Sequence, residues 1–363
     1  MTTPLVILGI ESSCDETAAA VVRDGREVMS DVVATQHELH ETYKGVVPEI
    51  ASRAHVERIV PVVREAMARA GLRFQQLDAV AVGHRPGLIG SLLVGTSAAK
   101  AIAWSLGKPF VGVDHVAAHV FSGLLEAAPC AYPALGLVVS GGHTSLYFVE
   151  RPLQLAKLGG TIDDAIGEAY DKAATILGLG YPGGPKLDLL AQLGNDRAVD
   201  LPLAQLGRDD AGERRLDFSF SGLKTALLYA VRGVPERLSR EERERRQGPR
   251  YRRSIDDLSP TERADLAASF QRVAVEHIVR NVRRALERHP VRTLLVGGGA
   301  SANSRLRTEL TTLAAQQSLD LRLPPLKWCI DNAAMIAGYA AHRVAAGERD
   351  PWSLAPHPLS QLR

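Results

Sequence analysis

The chain reads as an α/β protein built from two related lobes, and three features of the sequence lead there. An apolar run at residues 5–10, a polar turn at 11–17 and a second apolar run at 18–22 describe a strand, a turn and a strand. The same pattern returns at 135–139, 140–144 and 145–149. Each copy is followed by strands alternating with helical stretches, as expected of a sheet covered by helices. The length of 363 residues then divides into about two domains of roughly 150 residues each.

The remaining elements follow in order. Residues 79–95 form a strand, loop and helix around Pro86-Gly87-Leu88-Ile89-Gly90, and residues 293–313 form another around Gly297-Gly298-Gly299-Ala300-Ser301-Ala302-Asn303. Glycine in such loops lets backbone N–H groups approach an anion at a helix N-terminus. One such loop is equally a bare tight turn, whereas several in one chain point to a nucleotide. Residues 232–253 are the main break in composition, with nine Arg against four Glu. A solvated insertion is the ordinary reading of such a run, and Tyr251 among the arginines leaves RNA contact open. Residues 333–346 read as a last helix stopped by Gly347 and followed by a Pro-bearing tail.

Composition narrows the class. With 45% apolar and 23% charged residues, the chain is neither disordered nor fibrous. The net charge of +2 means that any nucleic-acid contact comes from local patches. Cys14, Cys130 and Cys329 are too few and too scattered for a disulfide framework or a zinc ribbon, which suits a reducing compartment. No basic leader with a cleavage site and no run of about 18 apolar residues is read in the chain, so a cytoplasmic location is expected.

The sharpest local signal for chemistry is His115 with His119. Asp114 is a suitable N-cap for a helix over 116–125, and residues four apart share one helix face, so both imidazoles can reach one metal. A packed or surface pair is the alternative. The zinc-protease helix needs Glu directly after its first His, and that place holds Val116. A carboxylate from elsewhere would complete a facial site suited to Fe(II) and tolerated by Zn(II). Asp331 is one candidate, and its alternative role is to cap the helix starting near Asn332. Gly297-x-Gly299-x-x-Ala302 fits a relaxed dinucleotide fingerprint, but Asp320 precedes the next strand instead of ending it, so a Rossmann reading is set aside. Asp163, Asp164, Glu168, Asp171, Lys172 and Asp188 gather around the glycine-rich stretch 178–184, where they suit ribose hydroxyls or a metal-phosphate group, or are solvated loop charges.

Taken together, the ordered motifs resemble the TsaD family of tRNA threonylcarbamoyladenosine transferases, formerly described as O-sialoglycoprotein endopeptidases. The resemblance rests on Gly9-Ile10-Glu11-Ser12-Ser13-Cys14-Asp15-Glu16-Thr17, Gly45-Val46-Val47-Pro48-Glu49, Ala51-Ser52-Arg53 and Pro86-Gly87-Leu88. It continues through His115-x-x-x-His119, Val139-Ser140-Gly141-Gly142-His143-Thr144 and Tyr181-Pro182-Gly183-Gly184-Pro185. It ends with Asp217-Phe218-Ser219-Phe220-Ser221-Gly222-Leu223-Lys224-Thr225, Gly298-Gly299-Ala300-Ser301-Ala302-Asn303 and Asp331-Asn332.

The resemblance implies an actin-like, sugar-kinase-like ATPase fold, with two ribonuclease-H-like lobes and a nucleotide cleft between them. Lobe I would be residues 1–131 with 332–363, and lobe II residues 132–331 with an Arg-rich insertion at about 232–262. It implies one divalent metal on His115, His119 and Asp331, Fe(II) first, with Zn(II) or Mg(II) as alternatives. Val138, Val139, Ser140, Gly141, Gly142, Asp171, Gly184, Asp188 and Asn303 would bind threonylcarbamoyl-adenylate at an ATP/AMP site. The implied reaction moves L-threonylcarbamoyl to N6 of adenosine 37 in tRNAs that read codons beginning with adenine. Implied partners are tRNA, a TsaB-like paralogous subunit, a TsaE-like small ATPase and a TsaC/Sua5-type enzyme that supplies the adenylate. Cys14 is not assigned as a nucleophile, because no His base lies beside it in sequence.

Departures from the family pattern are His84 and Arg85 before Pro86, Val116-Ala117-Ala118 between the histidines, a long Arg-rich stretch, and a tail of Pro356-His357-Pro358-Leu359. Other classes remain open to the residues alone. Glycine loops fit a small-molecule kinase on the same fold, although Mg-ATP sites do not need imidazoles. A metalloprotease is weakened by Val116, and a non-catalytic nucleotide-binding scaffold is separated only by turnover.

Overall fold

The computed structural model describes residues 4–362 apart from 42, 44, 210–211, 236–250 and 252. Ten strands form two five-stranded sheets. The first contains β1 (Val6–Glu11), β2 (Glu16–Arg23), β3 (Glu27–Thr35), β4 (Ala79–Arg85) and β5 (Phe110–Asp114), in the order β3-β2-β1-β4-β5. The second contains β6 (Ala134–Val139), β7 (Thr144–Arg151), β8 (Gln154–Gly160), β9 (Thr293–Gly297) and β10 (Asp320–Arg322), in the order β10-β9-β6-β7-β8. The two orders are the same once each strand is matched to its counterpart. In both, a three-stranded antiparallel meander is extended by two parallel strands beside its first member. The duplication seen as two strand-turn-strand units therefore extends to five strands per lobe, the ribonuclease-H-like arrangement of an actin-like fold.

The helices divide by face. In α2 (Pro48–Arg69), Pro48 at the first turn sacrifices no helical N–H bond; α3 (Ile89–Leu106) stops at Gly107, whose φ of 63° favours a residue without Cβ. Both cover one side of the first sheet, where Ile59, Val63 and Ala99 pack on Leu8, Ile10, Val80 and Val82. A short helix, α1 (His37–Glu41), precedes them. The other side is filled by α4 (His115–Phe121) and the last helix, α10 (Ala333–Ala345), and α4 also lies against β6 and β9 of the second sheet. Gly9 permits the close seating of α10, because a Cβ there would collide with the Ala333 carbonyl. The outer face of the second sheet carries α5 (Ile166–Ile176), α6 (Gly183–Ala191), α7 (Ser221–Arg232) and α8 (Pro260–Arg288), with α9 (Ser304–Gln316) alongside α8. The long α8 opens on a Ser259–Glu262 capping box, which satisfies two otherwise orphaned N–H groups.

Three sequence expectations are refined. The histidine helix ends at Phe121 instead of 125 and tightens into a 3₁₀ turn at Ser122–Leu124. The Ser122 hydroxyl bonds the His119 carbonyl at 2.9 Å, and Gly123 presses on the Arg322 backbone, so the α-helix has no room to continue. Second, α3 is long and apolar enough to cross a membrane, with a mean hydropathy of 1.3. Its apolarity is spread over Ala, Gly, Leu and Val, and its buried side, Leu92, Gly95, Ala99 and Ala103 among others, packs on the first sheet. Third, the RNA expectation for 232–253 falls largely outside the described residues; of those described, Arg232 lies over the Tyr251 ring at 5.7 Å.

The departures at His84 and Arg85 are explained by burial at the end of β4. His84 Nδ1–H donates to the Val113 carbonyl at 3.1 Å, and its Nε2 accepts from Arg85 Nε at 2.6 Å. Burial and the adjacent guanidinium push this imidazole down to about 4. An unfolded histidine titrates near 6.5, so between those values the unfolded chain holds a proton that the folded chain rejects. Stability should thus fall by about 3 kcal/mol as pH drops from 6.5 to 4, and no further from this group below that. His84→Asn keeps a donor for Val113 and removes the titration; urea unfolding across this range should show a shallower pH dependence than wild type. An unchanged dependence would show that His84 is protonated in the fold.

Candidate metal and nucleotide centre

The centre begins with a helix cap. Asp114 Oδ1 accepts from the Val116 and Ala117 N–H groups at 3.0 and 3.3 Å, so the α4 helix starts at His115. Its Oδ2 accepts from the Ser360 hydroxyl at 2.7 Å and the Gln361 N–H at 3.1 Å, which ties the C-terminal tail to the same helix start. One turn of helix then places His115 and His119 with ring centroids 4.5 Å apart and planes at 89°.

Asp331 meets both rings. Its Oδ1 lies 3.4 Å from His115 Nε2 and 3.1 Å from His119 Nε2. The cap of α10 is Asn332, which accepts from Met335 N–H at 2.9 Å, so the carboxylate of Asp331 is left for the histidines. Glu11, fully buried at the end of β1, holds His115 Nδ1 at 2.9 Å. Burial by itself would lower His115, but Glu11 and Asp331 together hold it well above the usual imidazole range. His119 is lowered by burial and by the charge on His115. Burial would raise Asp331, yet the two imidazoles hold it well below the carboxylate range. Two imidazole Nε2 atoms converging on one carboxylate oxygen, with a second carboxylate behind one ring, fit a metal site with open positions. His119 Nδ1 is buried with no hydrogen-bond partner among the described residues.

The glycine turn adjoins this cluster. Ser140 closes it with bonds to the N–H and carbonyl of His143 at 3.1 and 2.7 Å, and the exposed Gly141 and Gly142 have open space where a Cβ would stand. His143 is pushed down to about 4 by burial, with His115 and His119 adding to the effect; the turn is brought to the histidine helix at the end of β9, where Gly297 meets the His119 carbonyl and Gly298 meets Val139 and Ser140. Val138 and Val139 have buried side chains and offer only backbone. Asp171 Oδ1 accepts from Gly183 and Gly184 N–H at 2.8 and 3.3 Å, while burial raises its pKa against those bonds. Asp188, one turn after Gly184, accepts from Gln271, Ser304 and Asn303, and Asn303 also caps α9. The structure therefore links Asp171, Gly184, Asp188 and Asn303 along one wall, and Ser140 and Gly141 touch that wall through Gly167 of α5. Asp163 and Asp164 are elsewhere engaged: the first binds Ser219 and Ser221, and the second pairs with Lys172 and Lys224.

Four participants escaped the reading of the sequence. Glu11 was legible in principle, as a carboxylate ending an otherwise apolar strand. His143 carries no spacing signal towards the histidine pair. Glu16 and His37 form a pair at 3.4 Å, with Asp15 Oδ2 at 4.0 Å from the same ring. Burial pushes Glu16 up to about 8 against the pull of His37, and Asp331 and Asp15 add to the rise. Cys14 beside them is held as a thiol, raised by burial and by Asp15, consistent with no covalent role.

A two-lobed actin-like fold with a metal-type cluster and a glycine turn at the meeting of its sheets defines the class, an actin-like α/β protein. Among solved structures, the HypF of T. kodakarensis matches 94% of this chain and 48% of its own at a TM-score of 0.58 and 14% identity, a likeness of fold alone. The family profile of TsaD, tRNA N6-adenosine threonylcarbamoyltransferase, matches residues 27–338. A protein of that name from Anaeromyxobacter dehalogenans is 49% identical over 98% of this chain and 99% of its own. One from Symbiobacterium thermophilum is 47% identical over 97% and 96%, and one from Geobacillus kaustophilus 46% over 100% and 98%. The chain belongs to the TsaD family of tRNA N6-adenosine threonylcarbamoyltransferases. It is accordingly a transferase of tRNA modification, and the kinase, protease and scaffold readings fall away.

Two outcomes follow from the geometry. Glu11→Gln should weaken divalent-metal binding by about 10–100-fold at a pH where both imidazoles are neutral, because it loosens His115. In wild type, calorimetry in buffers of different ionisation enthalpy should show about one proton released per metal near neutral pH, since His115 carries one there. Equal affinities or no proton release would remove Glu11 from this role. Gly297 sits where a Cβ would collide with the His119 carbonyl. Gly297→Ala should cost roughly 1–3 kcal/mol and reduce metal affinity by moving α4, whereas wild-type melting and affinity would show that this contact does not seat the helix.

Proposed function

We propose that the enzyme transfers L-threonylcarbamoyl from threonylcarbamoyl-adenylate to N6 of adenosine 37, in tRNAs reading codons that begin with adenine. The observation that carries this reading is the convergence of His115, His119 and Asp331 beside the Ser140–Gly142 turn. His115, His119 and Asp331 would hold one divalent ion, Fe(II) on the donor set, with Zn(II) or Mg(II) as alternatives. Such an ion, when bound, polarises the carbamoyl group or orients the threonyl moiety.

The chain's own residues do the rest. Backbone N–H groups of the Gly141–Gly142 turn would stabilise the departing phosphate. Asp171, Gly184, Asp188 and Asn303 line the wall that receives the adenylate. The N6 amine forms a bond to the carbamoyl carbon, AMP leaves with the electrons of the broken C–O bond, and the amine gives up a proton. Glu16 in its ionised form, paired with His37 at 3.4 Å, is the acceptor we assign. Positioning carries much of the rate, since the adenine amine is a weak nucleophile.

The same reading takes residues 1–131 with 332–363 as lobe I and 132–331 as lobe II, supported by the packing of α10 on the first sheet. Val56 and Val60 on α2, with Ile89, Leu93 and Trp104 on α3, leave an apolar strip exposed, suited to a TsaB-like subunit. A TsaE-like ATPase and an adenylate-making TsaC/Sua5-type enzyme complete the system. Free Cys14, Cys130 and Cys329 accord with a cytoplasmic setting.

The test is mass spectrometry of nucleosides from tRNA incubated with threonylcarbamoyl-adenylate and the partner subunits. Wild type should yield threonylcarbamoyladenosine, and His115→Ala/His119→Ala should lose it by more than about 100-fold with metal content. No product from wild type with competent partners would sink the donor and acceptor assignment; full product from the double variant would sink the metal role.

A further inference from the structure

Outside the centre, and sharing none of its residues, lies a cavity of about 720 Å³ between the loop at 197–200, α8 and α9. Five of its eleven lining residues are arginines: Arg197, Arg272, Arg280, Arg283 and Arg305. Three carboxylates, Asp200, Glu276 and Glu309, also line it, which leaves a formal balance of 5 − 3 = +2. Two of the arginines are engaged, Arg272 with Glu276 at 3.2 Å and Arg305 with Asp196 at 2.8 Å. Arg197, Arg280 and Arg283 form no ion pair among the described residues. Arg280 is pinned by the Ala204 carbonyl, and its Nε is buried without a hydrogen-bond partner among the described residues. Burial, and then the neighbouring Arg284, work against the charge on Arg280. Guanidinium groups outnumber carboxylates in this lining, which is costly, and an anion between them offsets that cost.

The shape and lining select the anion. Planar guanidinium forks match phosphate oxygens in bidentate fashion, and several arginines can share one phosphate or span adjacent ones. The apolar part of the lining is only Val199, Val275 and Val279, and no aromatic ring lines the cavity on which a base could stack. The cavity suits backbone phosphate more than nucleobase. It also abuts the centre. Arg272 follows Gln271 and Arg305 follows Ser304, and Gln271 and Ser304 both bond Asp188.

We propose that this cavity is a second phosphate-binding site, taking a phosphodiester of the tRNA backbone, an assignment that rests on the tRNA reading above. The test uses Arg197→Gln/Arg283→Gln, both at exposed positions, with Arg197→Lys/Arg283→Lys as the charge-retaining control and melting curves to confirm folding. Fluorescence anisotropy would follow tRNA binding across a salt series, and calorimetry would follow inorganic tripolyphosphate binding. We expect the Gln pair to weaken tRNA binding and to lower the log–log salt slope by about one per lost contact, with the Lys pair retaining most of the slope. Loss of tripolyphosphate binding with tRNA binding unchanged would support the phosphate site and overturn its tRNA occupant. Both ligands bound as by wild type would overturn the site. Because the readouts are binding, they stand whether or not wild type forms threonylcarbamoyladenosine, and tripolyphosphate decides the site even if tRNA fails to bind.

Discussion

Everything at the centre depends on holding one buried imidazole oriented between two carboxylates. His115 sits almost out of reach of water between Glu11 at the end of β1 and Asp331 at the start of the C-terminal helix. A buried charge is tolerated only when paired and hydrogen-bonded. The pairing here has a topological cost and return, since it draws together a strand end, a helix start and a loop more than two hundred residues away in sequence. Ser13 N–H donates to Glu11 Oε1 at 2.5 Å, which fixes the second carboxylate oxygen while the first faces the imidazole. Movement of any one of these elements strands a charge on another.

The duplicated lobes divide the labour at equivalent places. In open sheets, ligand groups gather beyond the carboxyl ends of parallel strands. β1 ends in Glu11 and β5 in Asp114, directly ahead of His115; in the second lobe, β6 (the counterpart of β1) and β9 (the counterpart of β4) behave differently. β6 ends at Val139 and runs into the Ser140–Gly142 turn, and β9 ends at Gly297 ahead of Gly298 and Gly299. The first lobe thus contributes charged and imidazole side chains, and the second contributes backbone. The two contributions meet because β9 carries no side chain at Gly297, where the His119 carbonyl comes close, and because Gly298, at φ 93°, leaves the Val139 carbonyl unobstructed.

This division also explains what the sequence disclosed. Strand-turn-strand units, the last helix and the four-residue spacing of the histidines are local patterns, and local patterns survive in one dimension. The second role weighed for Asp331 was settled only by Asn332 taking the cap, a choice between adjacent residues that backbone geometry makes. Glu11, His143 and the Glu16–His37 pair belong to the centre through tertiary contact, and nothing in their spacing records it. The early end of α4 has the same origin, because Ser122 and Gly123 are ordinary residues until the Arg322 backbone presses on them. Beyond the strand-turn-strand units and the strands of the two glycine-loop units, β3 and β8 went unread, since both are half-exposed strands without a strong apolar period.

A polyanionic substrate poses a further constraint for a chain of net charge +2. Glu11, Asp15 and Asp331 crowd the centre with carboxylates, a field that repels phosphate unless cationic groups offset it nearby. Backbone N–H groups of a glycine turn supply part of that offset without adding another titratable side chain. Further positive charge lies on Arg272 and Arg305, next in sequence to Gln271 and Ser304, which bond Asp188. Concentrating cations there instead of in the cleft leaves the carboxylates free to hold an imidazole and to accept a proton. Carboxylate chemistry and phosphate attraction can then coexist within one lobe pair.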